Sequence, residues 1–434
     1  METVAFHTLG CKVNQYETEA IMELFEKEGY KSVPFDDKAD IYVINTCTVT
    51  NVGDKKSRQM IRRAHKKNPQ AIIIVVGCYA QIAPKEIAQI EGVNMIIGTN
   101  QRNQIVRLLQ EYEKKQNVMI QVNDIMKVRD FEEMNISTVQ EKTRAYLKIQ
   151  EGCNRFCSYC IIPYTRGPIR SRSPENIMKE IRTLVNNGFK EIVLTGIHVG
   201  SYGKDIKNME IDLVDLIKDI HSIEGLERIR LSSIEPTFVT KHFIQTIQAL
   251  PKVCRHFHLS LQSGSNRTLQ RMNRKYTKEI YQEKVELLRY TLKDVALTTD
   301  VIVGFPGETT EDFEESYEFI KNMKFSKIHV FPYSPKKGTK AAKYPNQIPN
   351  KIKEKRRDQM MKLGEKMEIQ FLSNHIGRIH EVLVETRCNG SNMFEGHTSN
   401  YMKVKVCSSV PLENTMQQIK MIQQEKDYLI GKII

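Results

Sequence analysis

Six of the nine cysteines fall into two groups of three, and one group is compact: Cys153-Asn-Arg-Phe-Cys157-Ser-Tyr-Cys160, a C-x3-C-x2-C spacing. Thiolates hold iron–sulfur clusters, and a 4Fe–4S cubane normally takes four of them. Three thiolates leave one iron open to a further ligand. Tyr159 precedes the last cysteine, and its ring can lie against a flat ligand such as adenine. Zinc is the alternative. Structural zinc usually closes with four ligands in paired units. Only Cys157 and Cys160 form such a pair, the next cysteine is Cys254, and no histidine follows at finger spacing. The spacing therefore predicts a cluster.

The second group is dispersed, and only the elements around it bring it together. Cys11 follows the strand-like run Thr3–Leu9, Cys47 follows Ile41–Asn45, and Cys78 follows the short apolar run Ile72–Val76. Helix-like segments at Tyr16–Lys27, Lys55–Lys67, Ile87–Ile90 and Asn103–Glu113 lie between or after them. Such alternation predicts an open α/β sheet over residues 1–128. Strand C-terminal ends share one edge of a parallel sheet, where ligands bind. The three thiols then either converge on a metal or serve as buried small hydrophobes.

Residues 129–142 are polar and aperiodic and read as a linker. Over 143–370, strand-like runs recur at Tyr146–Ile149, Glu191–Leu194, Arg228–Leu231, His256–Leu261, Ala296–Val303 and Lys327–Phe331. Helices such as Pro174–Val185 and Thr310–Asn322 separate them, so a partial barrel of six βα units is expected. The compact cysteine loop follows its first strand and lies at the C-terminal mouth, where barrel ligands sit. Asn350–Phe371 reads as a charged helix carrying Lys351, Lys353, Lys355, Arg356, Arg357, Lys362 and Lys366, either a solvated face or an RNA contact. From 371 to 434, runs at Val382–Glu385, Tyr401–Val406 and Leu429–Ile433, with Gly390 and Gly396 as turns, predict a small antiparallel β-barrel.

The 434 residues carry 65 Lys and Arg against 52 Asp and Glu, a net charge of +13. This balance favours an anionic partner such as nucleic acid. Met1–Leu9 reads as a strand and not as a signal peptide. Ala71–Gly77 is far too short an apolar run to span a bilayer. Cysteine-rich and without an export signal, the chain is expected in the reducing cytoplasm, where thiols serve metals or redox chemistry.

Cys153 to Cys160, with Tyr159, resembles the signature of radical S-adenosylmethionine enzymes. Further motifs are Leu9-Gly-Cys-Lys-Val-Asn14 with Glu17-Thr-Glu19, Asn45-Thr-Cys-Thr-Val-Thr-Asn51, Gly77-Cys-Tyr-Ala-Gln81, and Glu151-Gly-Cys153 through Tyr164-Thr-Arg-Gly167. Together they make the whole chain similar to the tRNA methylthiotransferases. The branch that acts on N6-threonylcarbamoyladenosine (t6A) at position 37 is matched best, through Phe6-His-Thr-Leu-Gly-Cys-Lys-Val-Asn-Gln15 and Cys160-Ile-Ile-Pro-Tyr-Thr-Arg-Gly-Pro168 followed by Arg170-Ser-Arg172. The isopentenyladenosine branch typically has Gln-Met-Asn after its first cysteine, and the ribosomal-protein branch Pro-Lys-Asn.

The resemblance implies two 4Fe–4S clusters, one on Cys153, Cys157 and Cys160 and a second on Cys11, Cys47 and Cys78. It implies S-adenosylmethionine as radical source and methyl donor, and a C-terminal RNA-binding barrel of the TRAM type. By the same resemblance, Thr195 and Gly196 in Thr195-Gly-Ile-His198, with Ser233, Glu235 and Gln262, are cofactor contacts at strand ends, and Val303-Gly304 an adenine floor. It further implies a tRNA anticodon stem-loop as partner, an electron donor such as flavodoxin or ferredoxin, a sulfur source, and no membrane. Arg166, Arg170 and Arg172 offer forks for a tRNA phosphate or the threonyl carboxylate, or form rim ion pairs. Phe394 is available to stack on a base. Cys254, Cys388 and Cys407 match no cluster motif and read as structural. The rivals are methylthiolation of isopentenyladenosine-37 or of a ribosomal-protein aspartate, and an iron–sulfur RNA-binding protein without catalysis.

Overall fold

The computed structural model describes residues 2–115, 117–137, 143–207, 210–388 and 390–434. The predicted linker 129–142 therefore lies partly outside the described residues. Its described part is tied down: Met134 and Ile136 are buried, Glu132 binds Arg102, and Glu133 binds Arg172.

The N-terminal sheet contains β1 (Thr3–Thr8), β2 (Lys31–Val33), β3 (Ile41–Thr46), β4 (Ile72–Gly77), β5 (Val93–Ile97) and β6 (Met119–Gln121) in the order β2-β1-β3-β4-β5-β6. Every pairing is parallel. The central strands are apolar at consecutive positions because both faces are covered. Ala5, Tyr42, Ile44 and Val75 pack one face. Val4, Val43, Ile74 and Val76 on the other face join the core that contains Leu147, Leu194 and Leu231 of the central barrel. The sequence pattern marks β1, β3 and β4 and misses β2, β5 and β6, of which β2 and β6 have three residues each.

The central region contains β7 (Arg144–Glu151), β8 (Arg170–Ser171), β9 (Glu191–Gly196), β10 (Arg228–Leu231), β11 (His256–His258), β12 (Ala296–Val303) and β13 (Lys327–Pro332). Two sheets, β10-β9-β7-β8 and β11-β12-β13, meet through bridges between Ile229 and Val253 and between Ile234 and Leu259. Among the described residues no pairing joins β13 back to β7, so the six parallel strands form an open barrel with β8 antiparallel at its edge. Helix Lys12–Lys27 packs against β7 and β9 as well as β1. It begins four residues earlier than its periodicity suggests, directly after Cys11.

Helix Asn350–Ser373 packs along β13. Lys353 and Arg356 turn inward, Arg356 to Glu308 Oε1 at 2.6 Å, while Lys351, Lys355, Lys362 and Lys366 stay exposed. The C-terminal strands β14 (Ile379–Arg387), β15 (Met393–Thr398), β16 (Lys403–Cys407), β17 (Thr415–Gln424) and β18 (Leu429–Ile433) close in the order β14-β15-β16-β18-β17. One pairing, β16 with β18, is parallel. Gly396 is not in a turn but inside β15, where a Cβ would meet Leu383 O at 2.2 Å. Phe394 does not face solvent for base stacking: it is 2% exposed and fills the barrel core.

The closed barrel docks on the N-terminal ends of the central strands. Arg228 donates to His397 O at 2.8 Å and Glu381 O at 2.9 Å, and Arg230 to Ser399 O at 3.1 Å. Glu191, fully buried, binds Arg230 at 2.7 Å and Arg144 at 3.5 Å. Burial alone would raise its carboxyl, but Arg230 and Arg144 outweigh burial and hold it down at about 2. A carboxyl depressed in the folded state contributes stability above its unfolded pKa of about 4.3, and that contribution is lost as pH falls toward the folded value. Glu191→Gln is predicted to cost about 3–5 kcal/mol at neutral pH by stranding buried guanidinium groups. The gap between wild type and variant, read by denaturant unfolding on tyrosine fluorescence, should narrow as pH falls below about 4.3.

Candidate active site

Cys11, Cys47 and Cys78 follow β1, β3 and β4, three adjacent strands, so the sheet itself brings them to one edge. Two glycines make the approach possible. At Gly10 (φ +107°) a Cβ would meet Cys47 Cβ at 2.9 Å and Cys47 Sγ at 3.1 Å. At Gly77 (φ +97°) it would meet Asn45 Oδ1 at 2.4 Å. Asn14 fastens the first loop by donating to Leu9 O at 2.7 Å and Thr46 O at 3.1 Å. Burial pushes the Cys47 thiol up to about 11, with a further push from Cys78. Cys11 opens into a cavity, yet the density of protein around it still pushes its thiol up.

Cys153, Cys157 and Cys160 lie on the loop after β7. Burial pushes Cys153 up to about 11, and burial with Cys157 pushes Cys160 up to about 12. All six thiols are free. A bound metal would reverse these shifts, because metal-bound sulfur is held as thiolate. Among the described residues no three His, Cys, Asp or Glu side chains come close enough to share one ion. Each set offers three free thiols, the donor chemistry that iron–sulfur clusters take.

Cys11 of the first set and Cys153, Cys157 and Cys160 of the second line one cavity of about 550 Å³, which Cys47 and Cys78 do not line. Tyr159, Thr195, Gly196, Ser233, Glu235 and Gln262 line it as well. Gly196 sits where a Cβ would press on Gln150 O at 2.9 Å. Gln262 has a left-handed backbone (φ +73°) and donates its N–H to Asp300 O at 2.9 Å. Val303 and Gly304 do not line this cavity. Val303 is in the apolar core, and Gly304 lies under Lys353, where a Cβ would meet Lys353 Cγ at 2.4 Å.

Glu235 is the centre of the polar wall. It binds Arg155 at 2.7 Å, His198 at 3.2 Å and Arg274 at 3.2 Å. Burial raises its carboxyl, but His198 and Arg274 prevail and hold it at about 2. Arg274 also donates to Cys157 Sγ at 3.3 Å. Sequence reasoning missed Arg274 and Arg155: the first is remote from the cysteine loop along the chain, and the second is one unremarked residue within it.

Arg166, Arg170 and Arg172 are not available to RNA or substrate. Their exposures are 0%, 2% and 0%. Arg166 donates to Cys78 Sγ at 3.1 Å and Asn14 Oδ1 at 2.6 Å, and pairs with Glu17 and Glu151. Arg172 pairs with Glu133 at 2.8 Å and Glu180 at 2.5 Å, while Arg170 donates to Arg166 O at 3.0 Å. The forks of Arg166 and Arg172 join distant segments of the chain, whereas Arg170 donates locally, to Arg166 O and Pro168 O, and its Nε is buried without a partner. Of the remaining cysteines, Cys254 is buried, Cys388 is half-buried and Cys407 is exposed at the end of β16.

Comparison with known proteins agrees with this arrangement. Residues 3–98 match the family described as "Uncharacterized protein family UPF0004", and residues 147–320 match "Radical SAM superfamily". The chain is 45% identical, over 100% of its length and 97% of the relative, to the threonylcarbamoyladenosine tRNA methylthiotransferase MtaB of Bacillus subtilis (strain 168). It is 36% identical to the tRNA-2-methylthio-N(6)-dimethylallyladenosine synthase of Caldicellulosiruptor saccharolyticus, over 98% of this chain and 91% of that one. Among solved structures, the radical S-adenosylmethionine methyltransferase TsrM of Kitasatospora setae is similar with a TM-score of 0.56 at 13% identity, covering 76% of this chain and 75% of that one, a likeness of fold alone. With both halves of the cysteine cavity matched and relatives aligned end to end, the chain belongs to the radical S-adenosylmethionine methylthiotransferase family.

Proposed function

We propose that this protein converts t6A at position 37 of tRNA to its 2-methylthio derivative. The observation that carries this reading is the cavity lined by Cys11 of one cysteine group and by all three cysteines of the other. The B. subtilis relative is named for the threonylcarbamoyladenosine reaction and aligns over the whole chain. In this reading Cys153, Cys157 and Cys160 hold one 4Fe–4S cluster, and Cys11, Cys47 and Cys78 hold the other. When bound, these groups with S-adenosylmethionine supply radical cleavage of an unactivated C–H bond, the sulfur and the methyl group.

The chain's own residues bind, orient and exclude. Tyr159, Thr195, Gly196, Ser233 and Gln262 line the wall where S-adenosylmethionine would lie. Glu235, held ionised, fixes Arg155 and His198 at that wall. The excess of basic charge and the exposed Lys351, Lys355, Lys362 and Lys366 favour the tRNA backbone. Among the described residues no helix is long and apolar enough to cross a membrane. A tRNA substrate fits a cytoplasmic enzyme served by an electron donor such as flavodoxin or ferredoxin and by a sulfur source.

Removing one set of thiols should remove one cluster only. Cys47→Ala with Cys78→Ala is expected to halve the iron per chain after anaerobic reconstitution and to leave 5′-deoxyadenosine formation in place. Cys157→Ala should abolish 5′-deoxyadenosine. Iron analysis and product chromatography check both, and unchanged iron in the double variant would refute the assignment. For the reaction, the reconstituted protein, a reductant, a sulfur source and S-adenosylmethionine are incubated with tRNA carrying t6A37. Mass spectrometry of the digested RNA should find 2-methylthio-t6A. Product only from isopentenyladenosine-37 tRNA would move the protein to the other branch.

A further inference from the structure

Barrel interiors are usually filled by layers of branched apolar side chains. Here a second cavity of about 410 Å³ runs through the central barrel, and His256, His258, Thr298, Asp300 and His329 of β11, β12 and β13 line it. It reaches Tyr401 of the docked C-terminal barrel at one end. At the other it shares Lys12, Ser232 and Ser233 with the cysteine cavity, so the two spaces adjoin.

The polar groups of this lumen are incompletely paired. Ser232 Oγ and His256 Nδ1 are buried without a hydrogen-bond partner. His256 uses its other nitrogen on Thr298 Oγ1 at 3.1 Å. Among the charged lining groups, Asp300 is met by His258 at 3.3 Å, Lys327 by Glu368 at 2.8 Å and Lys403 by Asp427 at 3.3 Å. Lys12 differs: among the described residues no carboxylate forms an ion pair with its Nζ, which lies 5.7 Å from the Tyr146 ring centroid. Glu191, the acidic group on its side of the barrel, is already bound to Arg230 and Arg144. An unpaired ammonium and two unpaired polar atoms beside a reaction cavity call for a ligand branch that is anionic and rich in hydrogen-bonding groups.

We infer that the lumen binds the threonylcarbamoyl substituent of the substrate base, with Lys12 taking its carboxylate and Ser232 and His256 its urea and hydroxyl groups. This rests on the t6A reading above and assigns the specificity of that site. A hydrocarbon substituent would leave the same groups buried and unpaired. Sites that hydrogen-bond a substrate group reject analogues lacking it far more strongly than apolar pockets reject a missing methylene. Anion recognition, offered by the sequence to Arg166, Arg170 and Arg172, thereby falls to Lys12.

The test uses cluster-loaded protein without S-adenosylmethionine and fluorescence anisotropy of anticodon stem-loop RNA carrying t6A, its carboxyl methyl ester, or isopentenyladenosine. Wild type should bind the acid at least about tenfold more tightly than the ester or the isopentenyl RNA, the scale of one lost charged contact. Lys12→Met should weaken the acid to the level of the ester and leave the ester unchanged, and Ser232→Ala should weaken acid and ester alike. Equal binding of acid and ester by wild type overturns the inference whatever the variants do. So does a tenfold preference for the acid retained in Lys12→Met. Iron content verifies that Lys12→Met is loaded; if it is not, the wild-type comparison and Ser232→Ala decide. Turnover separates the two readings: no product from t6A RNA refutes the function, whereas equal kcat/KM on acid and ester refutes only the role of the lumen.

Discussion

Glu17 has no exposure to water, and three cations meet on it: Arg102 at 2.5 Å, Arg166 at 2.5 Å and Lys148 at 3.1 Å. They come from the N-terminal sheet region, from the loop beyond the compact cysteines and from the first barrel strand. Glu151 and Glu132 balance them, Glu151 through Lys148 at 3.1 Å and Arg166 at 3.2 Å, Glu132 through Arg102 at 2.7 Å. Burial disfavours the Glu17 carboxylate, but the surrounding cations outweigh it and hold the group far below its usual range. Charges taken out of water are tolerated only with close partners and further hydrogen bonds. The network therefore accepts one arrangement of sheet and barrel and penalises others.

That constraint fixes the distance between the two cysteine groups. Arg166 reaches from the segment after Cys160 to Cys78 Sγ and Asn14. Asn14 in turn ties the Cys11 loop to Thr46, the last residue of the strand before Cys47. A shift of the barrel against the sheet would break these bonds together. The apolar core runs across the same joint, from Val76 to Leu147, so packing and ion pairing enforce one geometry. A second ionic cluster around Glu191 does the corresponding work at the opposite end of the barrel, where it seats the closed C-terminal barrel.

Much of this is legible in the sequence. The C-x3-C-x2-C run declares its chemistry because the three residues are neighbours, and the dispersed set is reachable because each cysteine follows a strand. The barrel strands β7, β9, β10, β12 and β13 stand out as β-rich apolar runs between helices. Short edge strands such as β2 and β6 carry too few residues for periodicity to register. The arginines mislead for a different reason. Arg166, Arg170 and Arg172 look like exposed phosphate forks, but folding brings Glu17 against Arg166 and Glu133 and Glu180 against Arg172, and buries Arg170. Phe394 sits beside a turn and still points inward, since a small barrel needs large side chains at its few interior positions. Arg274 and the polar lumen have no local signal, because their meaning comes from strands that meet only in the folded barrel.

The most direct test of the shared cavity is a crystal structure of the anaerobically reconstituted protein with iron located by anomalous scattering. Two iron sites should appear, one within bonding reach of Cys11, Cys47 and Cys78 and one within reach of Cys153, Cys157 and Cys160, each with an iron that lacks a protein ligand and faces the common cavity. A single site, a fourth protein ligand closing either set, or two sites opening onto separate surfaces would contradict it.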